Sequence, residues 1–266
     1  MTENAEGSAP RGAPLSVRRE DGTLVVTLNR PQALNALDAD LMAALRELWT
    51  DTNVLVGIRC IVVTGAGEGF CSGADISLLE TDRGDAAEAV EDELAFLPGP
   101  RVEVPVICAV NGVCAGAGLH FVADADIAIA AAGASFLDPH VSVGQVTALE
   151  PLTLRLRMRP DILARMALIG RREKLDAVAA QAAGLVSEVV EAEALMTRAL
   201  ELAGWIGENS PAAVRRSRRV LHDLETRLLD DALEAGWGEI REHWIHPDSK
   251  EGPKAFSDRR PPRWQA

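Results

Sequence analysis

Three continuous apolar runs limit the folds open to this chain. They read CIVVTG from Cys60, PVICAV from Pro105 and DIAIA from Asp126, and none of them alternates polar with apolar residues. Such runs are typical of strands that are buried on both faces. Helix-like segments and glycine turns separate them. The pattern therefore predicts an α/β fold in which helices cover a parallel sheet.

The region before these runs predicts a hairpin and a helix. The segment LSVRREDGTLVVTL (15–28) contains an Asp-Gly pair between two strand-like stretches, which is typical of a tight β-turn. Asp38 is placed to accept a hydrogen bond at the start of the helix that follows. The apolar face of that helix is expected to comprise Leu41, Leu45, Leu48 and Trp49.

The last part of the chain carries a helical pattern only. No strand-like run follows Glu193, and we divide the chain into a flexible N-terminus at 1–14, an α/β core at 15–191 and a helical tail at 192–266. The basic run Arg215–Arg219 is interpreted as a solvated helix face, with subunit contact as the alternative. Apolar side chains recur at helical spacing in the tail and require a partner surface; they are Leu221, Leu224, Leu228, Leu229 and Trp237.

Charge and composition exclude several classes of function. The net charge is −13, whereas binding to nucleic acid needs clustered Lys and Arg that neutralise phosphates. No uncharged apolar run reaches the about 18 residues that a membrane helix needs, and the polar opening MTENAEGSAPRGAP is unlike a signal peptide. The four cysteines lack CxxC spacing, which favours reduced, buried thiols. We therefore expect a cytoplasmic protein that binds neither nucleic acid nor membrane.

Two glycine turns follow buried strands at corresponding places. GAGEGFCSGADI begins at Gly65 and NGVCAGAG begins at Asn111, and their small residues leave backbone N–H groups unshielded. The full spacing of a dinucleotide-binding motif is absent from the first turn. Two strand-to-helix turns with bare amides can converge on one carbonyl oxygen and so form an oxyanion hole. This arrangement suits a reaction that passes through an enolate.

With these turns in place, the sequence resembles a known family, the crotonase or enoyl-CoA hydratase/isomerase superfamily. The resemblance extends from about Leu24 to Trp264 and rests on five blocks in the family's order. The blocks are VTLNRPQALNAL (26–37), GFCSGADI (69–76), NGVCAGAG (111–118), MALIGRREKLDAVAAQAAGLVSEVV (166–190) and SKEGPKAFSDRRPPRW (249–264). The resemblance implies a crotonase-like ββα spiral core and an acyl-CoA thioester substrate. It also implies a C-terminal helical trimerisation module that gives a homotrimer or hexamer.

The resemblance further assigns ligand-binding residues. The N–H groups of Ala74 and Ala117 would hold the thioester oxygen; the family usually has Gly at the second position, and a methyl group there requires a negative φ. Phe256 and Arg259 match tail positions that reach coenzyme A bound by a neighbouring subunit. Further contacts to coenzyme A are expected from Arg30, Ser72, Asp75 and Ile76. No separate cofactor and no metal is implied, because coenzyme A arrives as part of the substrate.

Two histidines stand where the hydratases of this family have glutamates. His120 follows the second oxyanion turn, and His140 lies in FLDPHVSVG (136–144) at the second position. General acid–base catalysis is most effective when the pKa lies near the working pH, and the ordinary pKa of histidine, about 6.5, meets that condition. Two buried imidazolium ions would, however, repel each other. We interpret both histidines as catalytic rather than as structural core residues.

Neighbouring side chains have a functional and a structural interpretation. Asp138 and Glu150 are as well suited to replace the missing base as to play a structural role, whereas Asp124 is expected to cap a helix or to face solvent. A metal site on the two histidines is disfavoured because a clear third ligand is missing. Cys71 and Cys114 flank the turns and are expected to pack in the core rather than to act as nucleophiles.

The preferred prediction is an enoyl-CoA hydratase-like lyase of fatty acid metabolism that stabilises a thioester enolate. The alternatives are an acyl-CoA isomerase, a C–C or thioester hydrolase, and a catalytically silent acyl-CoA binder, because kinship of fold does not choose among reactions. The acyl group itself is not predicted, since the variable segment 78–100 is expected to line its pocket.

Overall fold

The strands of the chain form two sheets. The computed structural model describes residues 12–75, 78 and 89–265, and in these residues the strands number ten. They are β1 (Leu15–Glu20), β2 (Thr23–Leu28), β3 (Cys60–Gly65), β4 (Gly69–Cys71), β5 (Val106–Val110), β6 (Val113–Ala115), β7 (Ile127–Ala131), β8 (Ser135–Leu137), β9 (Leu175–Asp176) and β10 (Glu188–Val190). The larger sheet has the order β1-β2-β3-β5-β7-β10, and the smaller has the order β4-β6-β8-β9.

Consecutive strands alternate between the two sheets. β3, β5 and β7 lie in the larger sheet, and the strand after each of them, β4, β6 or β8, lies in the smaller one. Neighbouring strands from β2 to β10 of the larger sheet are parallel, with Val63 opposite Cys108 and Cys108 opposite Ala128. Each unit thus adds one strand to each sheet before the chain turns back, which is the repeat expected of a ββα spiral.

The elements predicted from the apolar runs are confirmed. β3, β5 and β7 fall on the three runs, and every residue from Cys60 to Thr64 and from Val106 to Val110 is buried. β1 and β2 pair in antiparallel register around Asp21 and Gly22, both of which have positive φ. The strands that carry no alternation are those covered by helices on both faces, as the pattern indicated.

The described helices cover the sheets and form the tail. They are α1 (Ala39–Thr50), α2 (Thr52–Leu55), α3 (Val90–Glu93), α4 (Leu119–Asp124), α5 (Leu149–Leu154), α6 (Pro160–Ile169), α7 (Ala177–Ala183), α8 (Leu195–Gly207), α9 (Pro211–His243) and α10 (Pro247–Ser257). Asp38 caps α1 by accepting from the N–H of Leu41 at 2.8 Å, as predicted. The four apolar residues assigned to the inner face of α1 are all buried.

The helical tail packs on the core through α8. Leu195, Ala199 and Ala203 of α8 are buried against a face of the larger sheet that includes Val62 and Ile107. The last strand ends at Val190 and α8 begins at Leu195. All elements after that point are helical, as the sequence pattern predicted.

Two expectations about the tail are wrong. Arg218, expected to be solvated, is 6% exposed because its guanidinium donates to Asp126 at 2.8 Å and to the carbonyl oxygen of Val102 at 2.5 Å. Trp237, expected to require the surface of another subunit or partner, is 3% exposed and packs against Leu149 of the same chain. The helix is therefore attached to its own core at both positions. Leu221, Leu224 and Leu228 remain more than half exposed.

The cysteine prediction agrees with the structure. Cys60, Cys71, Cys108 and Cys114 are buried free thiols. Within the described residues, no helix combines the length and apolarity required to cross a membrane. The predicted flexible segment 1–14 lies outside the described residues except for 12–14.

Candidate active site

The two glycine turns meet at the end of the spiral. Gly73 has a φ of 98° and Gly116 has a φ of 49°, a region that side chains rarely adopt. A Cβ atom on Gly73 would lie 2.9 Å from the carbonyl oxygen of Ala115 and 3.4 Å from the amide nitrogen of Ala117. The backbone of the first turn therefore lies directly against the second turn, which only glycine at position 73 permits.

The two residues expected to donate to the oxyanion, Ala74 and Ala117, lie beside this contact. Leu37 pairs with Ala74 through two backbone hydrogen bonds. The N–H of Leu37 donates to the carbonyl oxygen of Gly73 at 2.8 Å, and the N–H of Asp75 donates to the carbonyl oxygen of Leu37 at 2.9 Å. These bonds fix the peptide groups on both sides of Ala74. Ala117 lies in a one-turn 3₁₀ helix and is not among the described non-glycine residues with positive φ, so its methyl group fits as predicted.

His140 borders the second turn and is oriented by Asp138. Its Cε1 atom lies 3.4 Å from the position that a Cβ atom on Gly116 would take. Its Nδ1 lies 2.7 Å from Oδ1 of Asp138, which also accepts from the backbone N–H of His140 at 3.2 Å. Oδ2 of Asp138 accepts a hydrogen bond from the hydroxyl of Thr147. Because Asp138 is held on both oxygens, it fixes the ring and presents Nε2 of His140 away from itself.

His120 lies deeper than His140. It is on α4, and its side chain is 4% exposed whereas that of His140 is 22% exposed. Its Nε2 lies 3.2 Å from Oε1 of Glu150, and its Nδ1 is buried without a hydrogen-bond partner among the described residues. Phe96 packs edge-on against the ring, with centroids 6.2 Å apart. The two histidines are therefore not equivalent, although both stand at catalytic positions of the family pattern.

Glu150 connects the two histidines. It is on α5, it is 5% exposed, and the same Oε1 atom that faces His120 lies 3.6 Å from Nε2 of His140. Desolvation opposes ionisation, but attraction to His140 and His120 and the hydrogen bond from His120 outweigh it and lower the pKa of the Glu150 carboxyl to about 2. Glu150 is therefore a carboxylate at neutral pH. Two carboxylates, Asp138 and Glu150, thus offset the repulsion expected between two buried imidazoles.

The sequence did not single out this arrangement. On sequence alone Glu150 has equal structural and functional weight, because no spacing signal separates it from other carboxylates that lie close to the turns. Thr147 carries no sequence signal, because its role depends on a loop that returns to Asp138. The ligand atoms of Asp138, His140 and Glu150 lie within 4.8 Å of one another. They already serve one another as hydrogen-bond and ion-pair partners, so we assign no metal to them.

A cavity of about 710 Å³ lies beside His120. His120 and Asp124 line it from α4, and α9 provides the largest share of the other walls, including Leu233. Leu94 and Leu156 line it from the segments that follow α3 and α5. Asp124 accepts from the N–H of Gly99 at 3.0 Å, which agrees with the structural role predicted for it. Of the segment 78–100 predicted to line the acyl pocket, residues 79–88 lie outside the described residues, and parts of 90–99 line this cavity.

The expected coenzyme A residues lie in different environments. Ser72 donates to the carbonyl oxygen of Ala33 at 3.2 Å. Arg30 is paired with Asp38 at 2.9 Å and with Asp75 at 3.1 Å, so a phosphate at Arg30 would compete with two carboxylates. Ile76 lies outside the described residues. Phe256 and Arg259, at the end of α10, are exposed, as a contact to another subunit requires.

The cysteines next to the turns are poor nucleophiles. Burial raises the pKa of the Cys71 thiol to about 12, although the backbone N–H of Gly73 acts in the opposite direction. Burial also raises the pKa of the Cys114 thiol, with Cys108 and Cys71 adding to the shift. A thiol reacts as the thiolate, which these two sites disfavour. Their role in core packing agrees with the prediction.

Comparison with known proteins gives consistent matches over the whole chain. The family model Enoyl-CoA hydratase/isomerase matches residues 18–266. The chain is 33% identical to mevalonyl-coenzyme A hydratase sidH of Aspergillus fumigatus, with 91% of each chain covered. It is 34% identical to (E)-benzylidenesuccinyl-CoA hydratase of Thauera aromatica, with 95% of this chain and 99% of that one covered. The crystal structure of an enoyl-CoA hydratase/isomerase from Pseudoalteromonas atlantica T6c superposes with a TM-score of 0.84 at 28% identity, covering 95% of this chain and 100% of that one.

Proposed function

The chain belongs to the enoyl-CoA hydratase/isomerase family, and we propose that it is a hydratase-like lyase that adds water across the double bond of an enoyl-CoA thioester. As a member of this family it is an enzyme that transforms acyl-CoA. The choice of hydration rests on one observation: a histidine oriented by a buried carboxylate borders the contact between two turns whose amides suit a thioester oxygen. Relatives that match over nearly their whole length are named hydratases.

The proposed mechanism assigns the enolate charge to the backbone. The N–H groups of Ala74 and Ala117 donate to the thioester oxygen as negative charge develops on it, and each such donor typically contributes about 3 kcal/mol to the transition state. The cluster that contains His120 and His140 transfers the protons to and from the substrate. Water loses a proton as it forms a bond to the β carbon, and the α carbon then receives one. The sum is addition of one water molecule.

The cavity beside His120 supports an acyl group that is larger than a short linear chain. Its volume of about 710 Å³ falls within the range of about 300–1,000 Å³ that is typical of pockets for drug-sized ligands. Its walls combine apolar side chains, among them Leu94, Leu97 and Leu233, with charged ones such as Arg157 and Asp230. Two relatives carry names that refer to mevalonyl and benzylidenesuccinyl groups, and we extend that class of bulky acyl groups to this chain.

We further propose a homotrimer or hexamer in the cytoplasm, with no cofactor beyond the coenzyme A of the substrate. The exposed side chains of Leu221, Leu224 and Leu228 on α9 support an additional protein interface, as do Phe256 and Arg259 at the end of α10. In such an assembly Arg259 would pair with a phosphate of coenzyme A bound to the neighbouring subunit.

The test is turnover of a substrate series by the purified enzyme. Crotonyl-CoA, a longer enoyl-CoA and an aryl-substituted enoyl-CoA report hydration, and a ring-containing β-keto-CoA reports C–C hydrolysis. We expect hydration with the highest kcat/KM for the bulkier enoyl-CoA. Cleavage of the β-keto-CoA without hydration would favour the hydrolase, a shifted double bond without added water would favour the isomerase, and tight binding without turnover would favour the silent binder.

A further inference from the structure

The inference concerns the group that completes the acid–base pair, and it rests on the proposed hydration. The family pattern places His120 and His140 at the two positions, but the structure places a third side chain between them. Oε1 of Glu150 is 3.2 Å from Nε2 of His120 and 3.6 Å from Nε2 of His140. We propose that the attacking water is held between Nε2 of His140 and Oε1 of Glu150, that His140 is the base, and that His120 is a positioning residue which acts through Glu150.

The contact with Asp138 determines which ring nitrogen of a neutral His140 carries the proton. Asp138 accepts at Nδ1 over 2.7 Å and is itself held by Thr147, so the proton of a neutral His140 resides on Nδ1. The lone pair is then on Nε2, which is the nitrogen that faces Glu150. A distance of 3.6 Å is too long for a direct hydrogen bond. Nε2 of His140 and Oε1 of Glu150 can both accept, and a water molecule, which has two donors, can bridge them.

Glu150 faces the same water as His140, and its ionised form decides its role. The lowered pKa of Glu150 makes it an acceptor, and the hydrogen bond from His120 stabilises the carboxylate also when His140 is neutral. Glu150 can therefore position water and stabilise the imidazolium that His140 becomes, whereas His140 takes the proton. The water O–H bond breaks, the oxygen bonds to the β carbon, and the π electrons move to the enolate. The proton on Nε2 of His140 is available to return to the α carbon.

His120 is buried and faces Glu150. Its Nε2 edge is occupied by Glu150, and its Nδ1 atom is buried without a hydrogen-bond partner among the described residues. Protonation of Nδ1 would place an unpaired N–H group in the interior, which costs free energy. The more exposed His140 lies against the Gly116 turn, which Gly73 contacts in turn. His120 is thus suited to hold Glu150 in place rather than to exchange protons with the substrate.

The test compares variants of Glu150 and His120, the variant His140→Ala and one matched control with the parent enzyme on its best enoyl-CoA. Glu150→Gln keeps the size of the side chain but removes its charge, and we expect kcat to fall by about 10²–10³-fold with little change in KM. Glu150→Asp should recover part of this loss. His120→Gln, whose amide can still donate to Glu150, should retain more activity than His120→Ala. Glu47→Gln on the exposed side of α1 is the matched control and should behave as the parent does.

The pH profile distinguishes catalysis from a structural role. Among the described residues, the titratable groups that face His140 are Asp138 and Glu150, with His120 behind Glu150. Removing the Glu150 charge makes an imidazolium at His140 less favourable, so the acid limb of kcat/KM should move to lower pH in Glu150→Gln. A purely structural residue would lower activity without moving this limb.

Three outcomes would overturn the inference. One is a Glu150→Gln enzyme that is folded by circular dichroism and keeps the parental kcat and acid limb. Another is a His120→Ala loss as large as the His140→Ala loss with no recovery in His120→Gln, which would return His120 to the role of second acid–base residue. The third is activity lost on dialysis against EDTA and restored by Zn²⁺, since a metal would then occupy these ligand atoms. A parent enzyme that hydrates no enoyl-CoA would instead contradict the proposed function.

Discussion

Nε2 of His120 lies 3.2 Å from Oε1 of Glu150, and both side chains are almost completely buried. A carboxylate removed from water is stable only if donors or positive charge face it, and here His120 donates to Glu150 while His140 lies 3.6 Å from the same oxygen. The loss of both family glutamates is thus accompanied by a carboxylate that reaches the same site from a different helix. The predictions below test this cluster, the turns beside it and the attachment of the tail.

Replacement of Asp138 by Asn should lower kcat by at least about 10²-fold. Asn at this position can donate to Nδ1 of His140 instead of accepting from it, so the wrong tautomer is stabilised. The affinity for acyl-CoA should change little, because the turns that we propose to hold the thioester are unchanged. Steady-state kinetics give both values, and the exposed Asp161→Asn serves as control. Parental kcat in Asp138→Asn would remove Asp138 from the mechanism.

The stability of the folded enzyme should depend on Glu150 at low pH. The folded-state pKa of about 2 is below the ordinary value of 4.5, so this carboxylate stabilises the fold above pH 4.5 and loses that contribution as the pH falls toward 2. The contribution is on the order of 3 kcal/mol when complete. Denaturant unfolding between pH 6 and pH 3 should therefore show a steeper loss for the parent than for Glu150→Gln. Parallel curves would contradict the buried, ionised state of Glu150.

Replacement of Gly73 by Ala should damage both the turn and the activity. The φ of 98° is unfavourable for alanine, and the added Cβ would lie 2.9 Å from the carbonyl oxygen of Ala115. Strain of this kind costs about 1–3 kcal/mol, and movement of the turn would displace the amide of Ala74. Thermal unfolding and kcat report the two effects. Gly133→Ala, where an added Cβ meets nothing within 4 Å, should leave both near the parental values.

Replacement of Arg218 by Ala should destabilise the protein by about 3–5 kcal/mol. It leaves Asp126 without its 2.8 Å partner and breaks the bond from α9 to Val102. The neighbouring Arg219 is 61% exposed and pairs with Glu103 at 3.2 Å, so Arg219→Ala should cost no more than about 1 kcal/mol. Denaturation at one protein concentration compares them, because assembly also affects stability. Equal effects would show that the buried ion pair does not attach the tail.

The exposed leucines of α9 should form a subunit interface. Leu221, Leu224 and Leu228 are 62%, 57% and 58% exposed, and burial of such side chains favours association. Analytical ultracentrifugation should show a trimer or hexamer, and Leu224→Glu should shift it toward the monomer. The exposed Val56→Glu, at the end of α2, is the control for an added charge. A folded parental monomer at micromolar concentration that binds coenzyme A would contradict both the interface and the role of Arg259 across it.

The sequence by itself determined the elements of the fold and the position of the two turns. Buried parallel strands produce apolar runs without alternation, an N-cap needs a short acceptor such as Asp38, and a turn with positive φ that lies against another backbone, as at Gly73, needs glycine. These are local requirements, so they remain readable in the order of the residues. The same holds for His120 and His140, because their distance from the turns along the chain is fixed.

Only the tertiary structure decided how the polar groups pair. Glu150 meets His120 because α5 packs against α4, Thr147 meets Asp138 because a loop returns, and Arg218 meets Asp126 across 92 residues. A charge can be buried at low cost only where a partner lies within a few ångströms. Which groups lie that close is decided by the tertiary structure. The sequence shows which side chains are charged, whereas the packing of helices on sheets selects which of them neutralise one another.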